Sequence, residues 1–176
     1  MSDHMKIRTI SELYTFKDPD GKIYQALRNG ADVKTVLLKY ANSFEIYRKI
    51  DGNMFLNEGI NYIWQLVSNP SGLVPFGSNT CIGVGDGDTP VDPTQTGLQG
   101  SNKAYKTVDA GYPQVSGNTF TVRATFGTSD ANFTWNEWTV ANSCTDDGIN
   151  LNRKVESLGT KNQNTTWVLQ LTLSIS

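Results

Sequence analysis

The run from Cys81 to Gly100 packs glycines, aspartates and prolines with no Lys or Arg, and with no nucleophile–base pair or metal-ligand histidine it reads as built for shape, not for chemistry. Asp86, Asp88 and Asp92 stand at the first, third and seventh places of a loop, a spacing that invites a calcium ion. An EF-hand loop also needs Gly at its sixth place and a carboxylate at its twelfth, where this chain has Val91 and Gly97. Only a looser calcium site remains, against the plainer reading of a solvated acidic loop whose aspartates bond backbone amides. Gly83, Gly85 and Gly87 invite a phosphate-loop reading. No Gly-Lys-Ser/Thr ending follows to meet phosphate charge, and Pro90 and Pro93 sit where a dinucleotide-binding helix would start.

The single histidine, His4, lies at the extreme N-terminus, which deprives Ser-His-Asp and Cys-His schemes of their base and a zinc site of its imidazole. Asp109, Asp130 and Glu137 lie near aromatics and are the carboxylates a glycoside-hydrolysing pair would draw on. Trp135, Trp138, Tyr105 and Tyr112 read instead as core or interface residues, with carbohydrate binding by exposed aromatics as the alternative. Asn102–Lys106 and Asn152–Lys154 read as surface charge balancing Asp109 and Glu156, the sharper alternative being docking onto an acidic partner. No catalytic, cofactor-binding or metal-ligating residue is assigned, and an enzyme is not expected.

Composition narrows the class. Charged residues are 18% of the 176, below the roughly 25% of average soluble proteins, and polarity comes from Asn, Thr, Ser and Gln. A net charge of −2 argues against a nucleic-acid partner. No apolar window is long enough for a membrane-spanning helix, and no apolar signal-peptide core follows Met1. The expectation is a protein made and kept in a cytoplasm, or in a particle assembled there. In that setting Cys81 and Cys144 are expected as two buried thiols, and Asn132-Phe-Thr and Asn164-Thr-Thr as chance glycosylation matches.

The elements that position these residues are mainly strands. Phe16–Gly21 is a turn, Ile23–Leu27 reads as the return strand of a hairpin, and Asp32–Arg48 as two strands about Asn42-Ser43. One helix is expected from Asn57, with Ile60, Ile63, Trp64 and Val67 at i, i+3, i+4, i+7 forming the stripe that packs on the sheets. Thr119–Phe126 alternates with Phe120, Val122, Ala124 and Phe126 on one face. Phe133 and Trp135 differ in parity from Trp138 and Val140, so a β-bulge near Asn136-Glu137 is expected to keep all four inward. Leu151–Val155 is a short strand, and Trp167, Leu169, Leu171, Leu173 and Ile175 form the clearest period-2 run. The fold class expected is mainly all-β: an antiparallel sandwich or barrel, with one packed amphipathic helix and an N-terminal arm. The division expected is an arm or small β subdomain over 1–52 and a helix-plus-β domain over 53–176. Asp86, Thr89, Asp92 and Thr94 favour an ordered, self-bonded loop from 85 to 100.

Taken in order, Leu56-Asn-Glu-Gly-Ile60 with Trp64, Ile82-Gly-Val-Gly-Asp86, Thr96-Gly-Leu-Gln-Gly-Ser-Asn-Lys103 with Tyr105-Lys106, and Gly111-Tyr-Pro113 resemble tailed-bacteriophage virion proteins. The likeness continues through Arg123-Ala-Thr-Phe-Gly127, Ala131-Asn-Phe-Thr-Trp-Asn-Glu137, Leu151-Asn-Arg153 and Gly159-Thr-Lys161, covering roughly residues 53 to 176. The resemblance implies a structural role without cofactor: a capsid decoration (cement) protein, or alternatively a tail or fibre component binding a host receptor or glycan. It implies a virion location, assembly in the host cytoplasm, the major capsid protein as partner and a homo-oligomer, often a trimer, with neither nucleic acid nor membrane.

Overall fold

The computed structural model describes residues 7–176, so His4 and the other first residues lie outside it. Ten strands form two antiparallel five-stranded sheets packed as a sandwich, not a closed barrel. The first sheet runs β2 (Phe44–Asp51), β1 (Ile7–Lys17), β10 (Thr165–Ile175), β7 (Thr119–Phe126), β6 (Gln114–Ser116). The second runs β3 (Met54–Phe55), β9 (Asn152–Thr160), β8 (Thr134–Ala141), β4 (Cys81–Gly85), β5 (Lys103–Thr107).

The alternation read in β7 and β10 is the one that builds the core. Val122, Ala124 and Phe126 meet Trp167, Leu169, Leu171 and Leu173 on one side, and Ile82, Val84, Trp135, Trp138 and Val140 on the other. The register of β8 against β9 shifts between Trp135 and Glu137, the expected bulge, which returns Trp138 and Val140 to the inner face. Trp135 is held edge-on between Phe126 and Trp167, with both centroid distances 4.8 Å.

The first fifty residues differ from expectation. β1 pairs with β10 over its whole length, from Ile7↔Ile175 to Lys17↔Thr165, so this segment is built into the sheet and does not stand off as an arm. Its inward face carries Thr9, Ser11, Leu13 and Thr15, and Ser11 Oγ accepts from Trp138 Nε1 at 3.0 Å. Small polar residues on a buried face hide the strand from a hydrophobicity reading. Lys22–Arg28 is a helix (α1), not a return strand, because the buried Asp18 carboxylate accepts from the Ile23 and Tyr24 amides that open it. Val33–Lys39 is also a helix (α2), capped by Asp32 accepting from Thr35 N at 3.2 Å. A one-turn 3₁₀ segment at Ala41–Ser43 then leads into β2. Ile23, Leu27, Val33 and Val36 bury the outer face of the first sheet around Phe16 and Val168.

The expected third helix (α3) spans Asn57–Ser68, but its orientation corrects the expectation. Gly59, Tyr62 and Leu66 turn inward, while Trp64 is 61% and Val67 72% exposed. Gly59 decides this, since a Cβ there would lie 2.6 Å from the Leu151 backbone. The helix lies so close to β9's start that only a residue without a side chain fits. Tyr62 packs edge-on against Phe76 at 6.4 Å, and its hydroxyl oxygen accepts from the Val74 amide at 2.9 Å.

Cys81 and Cys144 form a disulfide, contrary to the two thiols expected. Pairing of β4 with β8 sets Cys81 opposite Ala141, and the chain beyond β8 folds back to bring the two Cα atoms within 5.4 Å. With the cysteines 63 positions apart in sequence, Cys144→Ser is expected to cost about 2–4 kcal/mol, read as a lowered denaturation midpoint. Reduction of the wild type should reproduce that shift and leave the variant's midpoint unmoved.

Candidate functional site

Of the nominated carboxylates, Asp109 and Glu137 sit inside the fold, each against internal cations and amides. Asp109 is fully buried: its oxygens accept from Arg123 Nε at 2.8 Å, Arg28 Nη1 at 3.0 Å, and the Thr125 amide and hydroxyl at 3.0 and 2.7 Å. Arg123 also donates to the carbonyls of Leu27 and Ala31, both at 2.9 Å, and lies 4.6 Å from the Tyr112 ring centroid. This cluster fastens the α1–α2 cover to the outer face of the first sheet.

Glu137 does the same for the second sheet. Its oxygens accept from the amides of Gly87 at 3.2 Å, Gln99 at 3.0 Å and Gly100 at 2.6 Å, and from Arg153 Nε at 2.6 Å. Arg153 also donates to Thr89 O at 3.1 Å and Gln95 Oε1 at 2.9 Å, so both members of the buried pair hold the loop after β4. Asp86 accepts from both the amide and side chain of Asn102 and is held below the usual carboxylate range by those bonds, the side-chain bond foremost. Asp92 is lowered in the same way by Thr94. Gly87 and Gly100 let the two limbs of the loop touch: a Cβ on Gly87 would lie 2.6 Å from Gly100 N. The loop is the ordered, self-bonded one expected. Among the described residues no three His, Cys, Asp or Glu side chains come together to hold a metal, and Asp86, Asp88 and Asp92 are not brought into one cluster.

Asp130 accepts from Lys106 Nζ at 2.7 Å, Lys103 pairs with Asp146, and Lys154 with Glu156. Arg153, read from sequence as surface charge, is buried, and so is Arg123. Trp135 and Trp138 belong to the core, as expected. Lys161, given no role of its own from sequence beyond its place in the Gly159-Thr-Lys161 run, has a buried ammonium with three oxygens accepting from it: Gly127 O at 2.6 Å, Asn132 Oδ1 at 3.0 Å and Asn162 O at 3.4 Å. Burial pushes its pKa down to about 8 from 10.5, Asp130 opposing and Lys106 adding to the shift. Between about pH 8 and 10.5 the unfolded chain therefore binds more protons at this site, so its contribution makes stability rise with pH across that window. Lys161→Met is expected to remove that rise, seen as a flatter plot of urea midpoint against pH than the wild type gives.

What the interior does not consume lies at one end of the sandwich. Ile7 and Ile175, paired at the start of β1 and end of β10, border an open groove of about 360 Å³. Phe55, Ile63, Phe76, Phe120, Leu151 and Leu173 make its walls. Val115, 76% exposed on β6, forms one rim, and the outward stripe of α3 continues the apolar surface from Ile63 to Ile60, Trp64 and Val67. Contiguous apolar surface of this kind marks contact sites in soluble proteins. Sequence reading located the stripe but assigned it to the core. The signal available was Gly59, which marks the closer-packing side of the helix.

Comparison with known proteins gives no match to any family model, curated protein or solved structure. Among the described residues, no helix is long and apolar enough to cross a membrane.

Proposed function

We propose that this chain is a structural protein of a tailed-bacteriophage virion, acting as a head decoration (cement) protein by contact with the major capsid protein. The observation that carries this reading is the apolar end, covered by no other described residue, formed by the start of β1, the end of β10, the β6–β7 hairpin and α3. A cement protein needs a preformed surface that loses water only when it meets the assembled lattice, and it stabilises the shell because it binds that state alone. The candidate carboxylates support the same reading, since Asp109 and Glu137 spend their bonding capacity inside the fold. A Cys81–Cys144 disulfide suits a protein that persists outside a reducing cytoplasm, as in a released particle.

Antibody raised against the chain and applied to released particles, viewed by negative-stain microscopy, tests this. Label distributed over heads is the expected result. Label confined to tails would replace it with the tail or fibre reading, and unlabelled particles would end both.

A further inference from the structure

We propose that Lys161 and Asn132 are the two ends of a self-forming amide cross-link, made when the lysine amine attacks the asparagine carboxamide and ammonia leaves. The proposal is independent of what the apolar end contacts.

A lysine sealed from water ordinarily keeps its charge by meeting a carboxylate, and this one does not. Lys161 is 1% exposed, and its Nζ faces the neutral oxygens of Gly127, Asn132 and Asn162. Asp130 lies close enough to act on its charge, but that carboxylate is bonded to Lys106 Nζ at 2.7 Å and to the Gly127 amide at 2.8 Å. Lys106 in turn lies 5.1 Å from the Tyr24 ring centroid, so its own cation stays in the cluster and opposes a second one. Burial foremost, and Lys106 with it, hold the Lys161 pKa at about 8, which leaves roughly one amine in ten uncharged at pH 7. A desolvated amine of this kind is a nucleophile.

Its electrophile is already in place. The Lys161 amide donates to Phe133 O at 3.1 Å, which sets the side chain beside the segment entering β8. Asn132 is held from its other end, with Nδ2 donating to Thr128 O at 2.7 Å. Nζ touches Oδ1 at 3.0 Å, one bond from the carbon it would attack. Reaching the roughly 3–3.5 Å of a near-attack arrangement on that carbon takes a small side-chain rotation. The neutral amine adds to Cγ, forming the Nζ–Cγ bond and sending the carbonyl pair onto Oδ1. Asp130 takes one proton from Nζ and delivers it to Nδ2. The carbonyl then re-forms, the Cγ–Nδ2 bond breaks with its pair on nitrogen, and ammonia departs on the exposed side of Asn132. Nothing is oxidised or reduced, and no co-reactant is needed. The product staples the entry of β8 to the exit of β9, between residues 29 positions apart.

Intact mass spectrometry of the full chain, as purified and after incubation at about pH 9, where the amine is mostly neutral, reads the reaction directly. The wild type is expected to lose the mass of one ammonia, and faster at that pH than in mild acid. Peptide mapping separates this from ammonia loss by succinimide closure at Asn29-Gly30: a branched peptide joining Asn132 to Lys161, uncut by trypsin after Lys161, is expected. Asn132→Ala and Lys161→Met should keep their full masses. Asp130→Asn removes a charge that favours the ammonium, which alone would speed the attack, so a roughly 100-fold slowing reports its proton transfer. The cross-linked wild type should also lose the Lys161-dependent rise of urea midpoint with pH, having no amine left to titrate. Full mass retained by the folded wild type at about pH 9, where the amine is free to react, would overturn the proposal. So would a mass loss without the branched peptide, or Asp130→Asn reacting at the wild-type rate. The wild-type readouts need no variant to fold.

Discussion

Glu137→Ala is expected to remove about 3–5 kcal/mol of stability and to free the loop between Asp86 and Asn102, because breaking a buried ion pair strands its partner. The carboxylate lies with Arg153 at zero exposure and accepts from three loop amides besides the guanidinium. Truncation leaves the Arg153 charge buried beside unfilled space and leaves the Gly87, Gln99 and Gly100 amides without their acceptor. Urea unfolding measures the global loss, and amide exchange at Gly87, Gln99 and Gly100 measures the local one. Glu137→Gln keeps the volume but turns an amide NH₂ toward these donors, so an intermediate loss is expected. Replacing the pair together, Glu137→Leu with Arg153→Met, should recover much of the stability, since apolar residues of similar volume commonly substitute for a buried pair. Loop protection should stay low, because its amides still lack an acceptor. A loss below about 1 kcal/mol for Glu137→Ala, the size of a single ordinary hydrogen bond, would show that the pair does not hold the loop.

Asp109→Ala is expected to cost about the same 3–5 kcal/mol, with its local effect on the opposite side of the molecule. Arg123, buried to the same degree, would lose the carboxylate that offsets its charge and keep only the Leu27 and Ala31 carbonyls and the Tyr112 ring. Those carbonyls belong to α1 and the segment after it, so the α1–α2 cover should loosen first. Proteolytic cleavage between Lys22 and Lys39 should accelerate in this variant, while the 86–102 loop keeps its wild-type protection. Cleavage accelerating in that loop instead would contradict the assignment of one buried pair to each cover.

Much of the sandwich was legible because its core strands alternate. Thr119–Phe126 and Thr165–Ile175 carry apolar side chains at every second place, and the parity change between Trp135 and Trp138 exposed the bulge. The N-terminal segment was not, because β1 buries Thr9, Ser11 and Thr15, and because seven-residue helices give too few turns for a 3.6-residue period to stand out. Asp18 and Asp32 were the available signals, each placed to cap a helix start. The Cys81–Cys144 bond depended on long-range pairing that local sequence does not encode. At the apolar end the residues were visible and their partner was not: periodicity tells that a stripe exists, while Gly59 tells which side of the helix touches Leu151.

Fastened covers on both sheets, and an apolar end that no other described residue covers, imply a division of labour, with the interior pairs holding shape and the end surface making the contact. Hydroxyl-radical footprinting of the chain on purified particles, against the dilute isolated chain, tests that division most directly. Protection of Trp64, Val67, Val115 and Ile175, with the residues of the 86–102 loop unchanged, is the outcome expected. Equal labelling of those four side chains in both states, or protection confined to the loop, would contradict it.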